Sequence, residues 1–178
     1  MILGIAGRIA SGKSTLARNL ATKLGFRRIG FGDYVRSIAR ANGLDPFDRT
    51  VLQELGQRLV GDDPSAFASS FLASADYRPP ENVVLDGVRH EAVWNEIKAL
   101  ALSRSTMVRL VYLDAPDAAR RIRITAREGD WDTTQMFDRH PSEADLELRV
   151  AALADLVLDG RLSETQLVDA IAAMLKAS

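Results

Sequence analysis

Residues 1–15, MILGIAGRIASGKST, carry the strongest indication of the fold. The segment Ile2–Ala6 is apolar and rich in aliphatic side chains, which predicts a buried β-strand. Apolar residues recur at helical spacing over residues 16–24, which predicts a helix. Between the two lies the spacing G-x-x-x-x-G-K-[ST] of a phosphate-binding loop, formed by Gly7, Gly12, Lys13 and Ser14.

Each residue type in this loop has a physical reason to bind a triphosphate. Glycines let the backbone approach a dense anion, and the first turn of a helix offers unpaired N–H groups. Lys13 supplies a mobile positive charge, and the Ser14 hydroxyl is a ligand for Mg²⁺. The alternative is a glycine-rich turn without a ligand. We expect ATP to bind here, with contacts from Gly7, Ala10, Ser11, Gly12, Lys13, Ser14 and Thr15.

Length and composition predict one globular domain over residues 1–178. The net charge of −1 gives no electrostatic reason to expect nucleic acid or an anionic membrane as a partner, and no apolar run reaches the length of a membrane span. The chain has no cysteine, which excludes disulfides and thiolate chemistry. The first residues form a predicted strand, so we expect no signal peptide and a cytoplasmic protein.

Strands and helices alternate along the remaining chain. This alternation predicts an α/β protein, in which a parallel sheet is covered by helices on both faces, as in the three-layer α/β/α P-loop NTPase fold. Besides the first strand, the predicted strands are residues 26–31, 82–86, 107–113 and 156–158.

Two segments depart from this alternation. Residues 32–78 show helical patterns only and are predicted to be a helical insertion that binds the acceptor, with Asp33 as a helix N-cap and a second helix beginning at Asp45-Pro46. Residues 128–142 are polar and lack a clean period, which predicts a mobile loop or lid. Ser142-Glu-Ala-Asp145 has the spacing of a capping box and predicts another helix.

Asp86 ends the strand Val-Val-Leu-Asp and is the predicted metal residue. In P-loop proteins an acid at such a strand end helps to hold Mg²⁺, so Ser14 and Asp86 form the candidate metal site. A turn or cap residue is the alternative for Asp86.

Arginines follow two turns at the expected ligand-facing edge of the sheet. Arg36 and Arg89 are candidates for binding a second phosphate, because a guanidinium group can bind two oxygens at once. Four more arginines lie on one predicted helix: Arg120, Arg121, Arg123 and Arg127. We select Arg123 and Arg127 to stabilise the migrating phosphoryl group and expect the others to be a solvated face.

Two segments resemble motifs of adenylate kinases. Gly32-Asp33-Tyr-Val-Arg36 is similar to their G-D-x-[LM]-R segment, and Val84-Leu-Asp-Gly-Val-Arg89 is similar to their D-G-[FY]-P-R segment. Phe31 stands where that family has threonine, and the second motif lacks the proline. In that family the two arginines bind the phosphate of the acceptor nucleotide. The resemblance therefore implies that Asp33, Arg36 and Arg89 contact the acceptor.

A closer resemblance, over nearly the whole chain, is to deoxynucleoside monophosphate kinases and related bacterial P-loop proteins. It rests on Phe31-Gly-Asp, Leu52-Gln-Glu-Leu-Gly56, Asp86-Gly-Val-Arg89 and His140-Pro-Ser-Glu143, and the tail from Ala154 is also similar to that of dephospho-coenzyme A kinases. It implies transfer of the γ-phosphoryl group of ATP to a (deoxy)nucleoside monophosphate, with Mg²⁺. A kinase for dephospho-coenzyme A or another metabolite, or a non-catalytic nucleotide sensor, remains the alternative. The implied catalytic residues are Lys13, Arg36, Asp86, Arg89, Arg123 and Arg127.

Overall fold

The computed structural model describes residues 1–127, 129–140, 143 and 145–177. Its centre is a five-stranded sheet in which every pair of neighbouring strands is parallel. The strand order is β2-β3-β1-β4-β5. The strands are β1 (Ile2–Ala6), β2 (Arg27–Gly30), β3 (Val83–Val88), β4 (Val108–Asp114) and β5 (Leu156–Asp159).

Helices connect the strands. They are α1 (Lys13–Leu24), α2 (Phe31–Ala41), α3 (Arg49–Asp62), α4 (Pro64–Ser74), α5 (Glu91–Leu102), α6 (Asp117–Thr125), α7 (Trp131–Asp138) and α8 (Glu164–Lys176). A π-helical turn, Leu146–Val150, and a 3-10 turn, Ala151–Leu153, precede β5. Among the described residues, no helix combines the length and apolar character that crossing a membrane requires.

The sheet separates two hydrophobic cores. Alternate residues of β1 supply both: Ile2 and Ala6 pack with α4 and α5, whereas Leu3 and Ile5 pack with α1 and α8. Helices therefore cover both faces, and the predicted three-layer α/β/α P-loop NTPase fold is confirmed. Trp94 is buried in the first core, as an apolar position of a core helix should be.

Two helix predictions were wrong in detail. Gly30 is the N-cap of α2, and Asp33 lies in the first turn, where its carboxylate instead accepts hydrogen bonds from arginines. Helix α3 begins at Arg49 because the Asp48 side chain accepts a hydrogen bond from the Val51 N–H group. The Asp45 carboxylate, predicted to start this helix, accepts from the N–H group of Phe47 in a turn.

The segment 128–142 contains helix α7, where the sequence predicted no regular element. Asp130 caps it by accepting from the Thr133 N–H group. Thr134 is its only buried residue, so this eight-residue helix has no apolar stripe for a periodicity analysis to detect. Glu128, Pro141 and Ser142 lie outside the described residues, as does the capping box that depended on Ser142. Beyond it, Leu146–Val150 is π-helical.

Candidate active site

The phosphate-binding loop connects β1 to α1 in a conformation that requires glycine at position 7. Gly7 and Gly12 have φ angles of 148° and 101°, and Ala10 also has a positive φ of 61°. A Cβ atom on Gly7 would lie 2.7 Å from the carbonyl oxygen of Leu113. The backbone of the loop therefore passes too close to β4 for any larger residue.

Basic side chains bind the carbonyl groups of four successive loop residues. Lys13 donates to the carbonyl oxygen of Arg8 at 3.1 Å, and Arg120 donates to that of Ile9 at 2.7 Å. Arg123 donates to the carbonyl oxygens of Ala10 at 3.2 Å and Ser11 at 2.7 Å. These hydrogen bonds hold the main chain of the loop in one conformation. They also concentrate positive charge around it.

Lys13 is held in an environment that disfavours its own charge. Burial lowers its pKa well below the usual value, and the positive charge of Arg89 lowers it further, against the opposing effect of Asp86. An ammonium group in such a place is stabilised by an incoming anion. Lys13 therefore has the electrostatic properties expected of a phosphate-binding lysine.

Ser14 and Asp86 meet because β1 and β3 are neighbours in the sheet. The Ser14 hydroxyl donates to Asp86 Oδ1 at 3.0 Å, and Asp86 is only 4% exposed. Hydroxyl and carboxylate oxygens are the ligands that Mg²⁺ prefers, and Mg²⁺ completes its shell with waters and phosphate oxygens. The two side chains therefore fit a magnesium ion beside the loop.

A cavity of about 390 Å³ extends from the loop between β3 and helices α2 and α3. Among the described residues, two carboxylates line it, Asp33 and Asp86, against six basic side chains. These are Lys13, Arg28, Arg36, Arg49, Arg89 and Arg127. The excess of positive charge indicates an anionic ligand with more than one charge.

Three of the arginines that line the cavity have partners around it. Arg36 donates to Asp33 Oδ1 at 2.9 Å, and Arg89 forms an ion pair with the buried Glu143. Arg49 lies 5.3 Å from the ring centre of Phe137. Burial and the neighbouring charge of Arg49 lower the pKa of Arg89 to about 10. Burial also lowers the pKa of Arg49, against the opposing effect of Asp138.

The remaining wall of the cavity is less polar. Phe31 and Phe67 line it and stack with 6.3 Å between ring centres. Gln57, Gly56 and His90 also line it. Burial lowers the pKa of His90 to about 4, so this side chain is neutral at pH 7. A cavity lined by both cationic and apolar side chains fits a ligand that carries phosphate on an organic group.

The four arginines predicted to share one helix have different environments, and Arg127 lies in a turn beyond Thr125, where α6 ends. Arg127 lines the cavity, whereas Arg123 binds the loop carbonyls and Gly160 O. The prediction of a solvated face was wrong for Arg120, which is fully buried. It donates to Asp117 and Asp138 and lies 5.4 Å from the ring centre of Trp131.

Sequence reasoning missed five residues of this region. They are Arg8, Arg28, Arg49, Asp138 and Glu143. Arg28 had the one detectable signal, because it is a charged residue in the middle of a short predicted strand. The others belong to segments whose local pattern gives no indication of what they face.

A family model described as AAA domain, AAA_18, matches residues 3–140. The chain belongs to the AAA_18 family. Among curated proteins, this AAA_18 chain is similar to the UPF0200 protein of Methanothrix thermoacetophila, with 34% identity over 71% of this chain and 65% of that protein. It is also similar to the cytidylate kinase of Aeropyrum pernix, with 35% identity over 70% of this chain and 63% of that protein. The match thus spans slightly less than two thirds of each relative.

Solved structures agree on the architecture of the AAA_18 chain. The shikimate kinase of Aquifex aeolicus superposes with a TM-score of 0.57 at 16% identity, covering 99% of this chain and 97% of that one. A sugar kinase of Janibacter superposes with a TM-score of 0.55 at 19% identity, covering 98% of this chain and 94% of that one. At these identities the likeness concerns the fold alone. Together with the family match and the cytidylate kinase relative, it confirms the predicted P-loop, nucleoside monophosphate kinase-like family.

Proposed function

We propose that this AAA_18 protein transfers the γ-phosphoryl group of ATP to a nucleoside monophosphate. The observation that carries the proposal is one cavity that is lined both by the loop with the Ser14–Asp86 pair and by further arginines, Arg36 and Arg89 among them. One phosphate-binding group would suffice for a nucleotide sensor. Two groups in one cavity fit a donor and an acceptor, and the similarity to cytidylate kinases supports a nucleotide acceptor.

On the donor side, the loop would bind the phosphates of ATP. Its hydrogen-bonded carbonyls keep the main chain fixed, and Lys13 would neutralise charge on the outer phosphates. Ser14 and Asp86 would hold Mg²⁺, which when bound supplies further charge neutralisation on the phosphate oxygens.

On the acceptor side, Arg36 and Arg89 would bind the phosphate of the monophosphate, with Asp33 holding Arg36 in place. An oxygen of that phosphate forms a bond to the γ-phosphorus of ATP while the bond from the γ-phosphorus to the β–γ bridging oxygen breaks, so that ADP leaves. The attacking oxygen is already ionised, and no general base is required. Arg127 would face the migrating phosphoryl group, and Arg123 would support the loop.

Helices α2, α3 and α4 would form the acceptor site, and segment 128–142 with α7 would act as the lid. Closing both over the substrates excludes water, which would otherwise take the phosphoryl group. Gln53 on α3 already donates to the carbonyl of Phe137 in α7 at 3.2 Å, so the two parts have a direct contact through which they could close together.

The test measures ADP formation from Mg-ATP with each ribo- and deoxyribonucleoside monophosphate, with dephospho-coenzyme A, and without acceptor. Strong stimulation by one monophosphate is the expected result and names the substrate. Stimulation only by dephospho-coenzyme A would replace the proposal with that activity. ATP binding without stimulation by any acceptor would contradict the proposal and favour a sensor.

A further inference from the structure

A continuous network of hydrogen bonds joins Ser14 to Arg36, two residues that line the cavity. It runs from the hydroxyl of Ser14, on the proposed metal side, to Arg36, on the proposed acceptor side. Carboxylates and guanidinium groups alternate along it. The links are Ser14 to Asp86 Oδ1 at 3.0 Å, Arg28 Nε to Asp86 Oδ2 at 2.9 Å, Arg28 Nη1 to Asp33 Oδ2 at 3.1 Å and Arg36 Nη2 to Asp33 Oδ1 at 2.9 Å.

Arg28 is the centre of this network. It lies on the edge strand β2, next to β3, and its side chain is 28% exposed. A planar guanidinium group can bind two carboxylates in fixed directions, which a lysine cannot do. Burial would lower the pKa of Arg28, but the hydrogen bonds and charge of Asp86 outweigh it and the pKa is raised. Burial likewise opposes ionisation of Asp33, yet Arg36 and Arg28 lower its pKa.

Gly30 leaves room for this junction. Its φ of −104° and ψ of 123° are ordinary extended values that any residue adopts, so the backbone does not require glycine. A Cβ atom there would overlap Asp33 Oδ2 and lie 3.1 Å from Arg28 Nη2. The space between Arg28 and Asp33 therefore depends on the absence of a side chain at position 30.

We propose that Arg28 is a positioning residue that couples the magnesium side of the site to the acceptor side. By binding Asp86 Oδ2, it turns Oδ1 of the same carboxylate toward Ser14. By binding Asp33, it fixes the partner of Arg36. The identity of the acceptor in this inference rests on the proposed function, but the coupling itself is measurable without turnover.

The experiment compares Arg28→Met with Arg27→Met. Arg27 is the matched control, because it lies on the same strand and binds a carboxylate, Glu81, at 2.7 Å outside the cavity. Titration calorimetry measures ATP affinity at graded Mg²⁺ and the affinity for the monophosphate. Arg28→Met should weaken monophosphate binding about tenfold and shift the Mg²⁺ concentration for half-maximal ATP binding by at least about threefold. Arg27→Met should change neither.

A second variant, Gly30→Ala, tests one hydrogen bond of this network, the one between Arg28 and Asp33. Its methyl group should displace the Asp33 carboxylate, while Arg28 keeps Asp86 through Nε, which is not among the three atoms nearest to the added Cβ. Monophosphate binding should weaken, and the Mg²⁺ requirement should stay unchanged. This variant keeps the buried ion pair and carries the test if Arg28→Met does not fold.

Three results would overturn the coupling. The first is an Arg28→Met protein in which either the monophosphate affinity or the Mg²⁺ concentration for half-maximal ATP binding is unchanged. The second is an Arg27→Met protein in which both change as expected for Arg28→Met. The third is a Gly30→Ala protein with wild-type monophosphate affinity. A wild-type protein that binds both nucleotides without turnover would refute the proposed function and leave the coupling intact. If no monophosphate binds, the Mg²⁺ dependence of ATP binding still tests the link between Arg28 and Asp86.

Discussion

Replacing Gly56 by alanine should stabilise the protein and impair the acceptor site. Gly56 lies inside α3 and lines the cavity, and an added Cβ would meet only Val35 Cγ2, at 3.9 Å. Glycine in a helix interior costs up to about 1 kcal/mol relative to alanine. For a chain of this size, regaining that free energy raises Tm by about 2–4 °C.

The same methyl group would enter space that we assign to the acceptor. An extra methyl in a packed site costs about 1–3 kcal/mol. We therefore expect KM for the monophosphate to rise about tenfold, since about 1.4 kcal/mol corresponds to that factor. KM for ATP should not change, because the loop is not touched.

Gly61 provides the control. It is an exposed residue of the same helix, nothing lies within 4 Å of its added Cβ, and it is not among the lining residues of the cavity. Gly61→Ala should stabilise the protein by a similar or smaller amount without any kinetic effect. The assays are thermal unfolding and initial rates of ADP formation. A Gly56→Ala enzyme with wild-type KM for the acceptor would show that this face of α3 is not the acceptor wall.

Three further predictions concern other parts of the site. Lys13→Ala should lower acceptor-stimulated ADP formation about 10³-fold without unfolding the protein, and near wild-type rates would remove Lys13 from the mechanism. Asp138→Asn should lower the free energy of unfolding by about 1–3 kcal/mol, because Arg8 and Arg120 lose a shared, nearly buried carboxylate and keep only their other partners, Asp117 among them; denaturant titration measures it, and exposed Asp132→Asn is the control. Burial lowers the pKa of His90 from 6.5 to about 4, so the unfolded chain takes up a proton first as pH falls through that window and stability decreases. His90→Gln should reduce this loss by about 2–3 kcal/mol between pH 6.5 and 4, and equal pH profiles of the two proteins would contradict it.

Most of the fold could be predicted because its signals are local. A five-residue apolar run, a loop motif and a helical period are all contained within residues 1–24, and the other strands have similar signals. The proximity of Ser14 and Asp86 could also be predicted, because parallel strands bring their carboxyl ends to one edge of a sheet. Helix α7 was missed since it buries a single residue, Thr134.

The network around the loop could not be predicted from sequence. Arg28 and Asp86 are 58 positions apart, and Arg8 and Asp138 are 130 apart. No periodicity relates such residues. The expectation that Arg120 is solvated followed the usual behaviour of arginine, whereas its burial depends on Asp138 and Trp131, both in α7. Contacts of this kind are determined by tertiary packing alone.

The hydrogen bonds to the loop carbonyls have a consequence for biosynthesis. The loop motif is synthesised before α6, and Arg120 and Arg123 reach the loop from positions 111 and 112 residues later in the chain. A nascent chain that ends before α6 would contain the whole motif and lack three of its four carbonyl contacts. The capacity to bind nucleotide should therefore arise only after α6 has been synthesised, and ATP can select only those chains in which α6 has already packed against the loop.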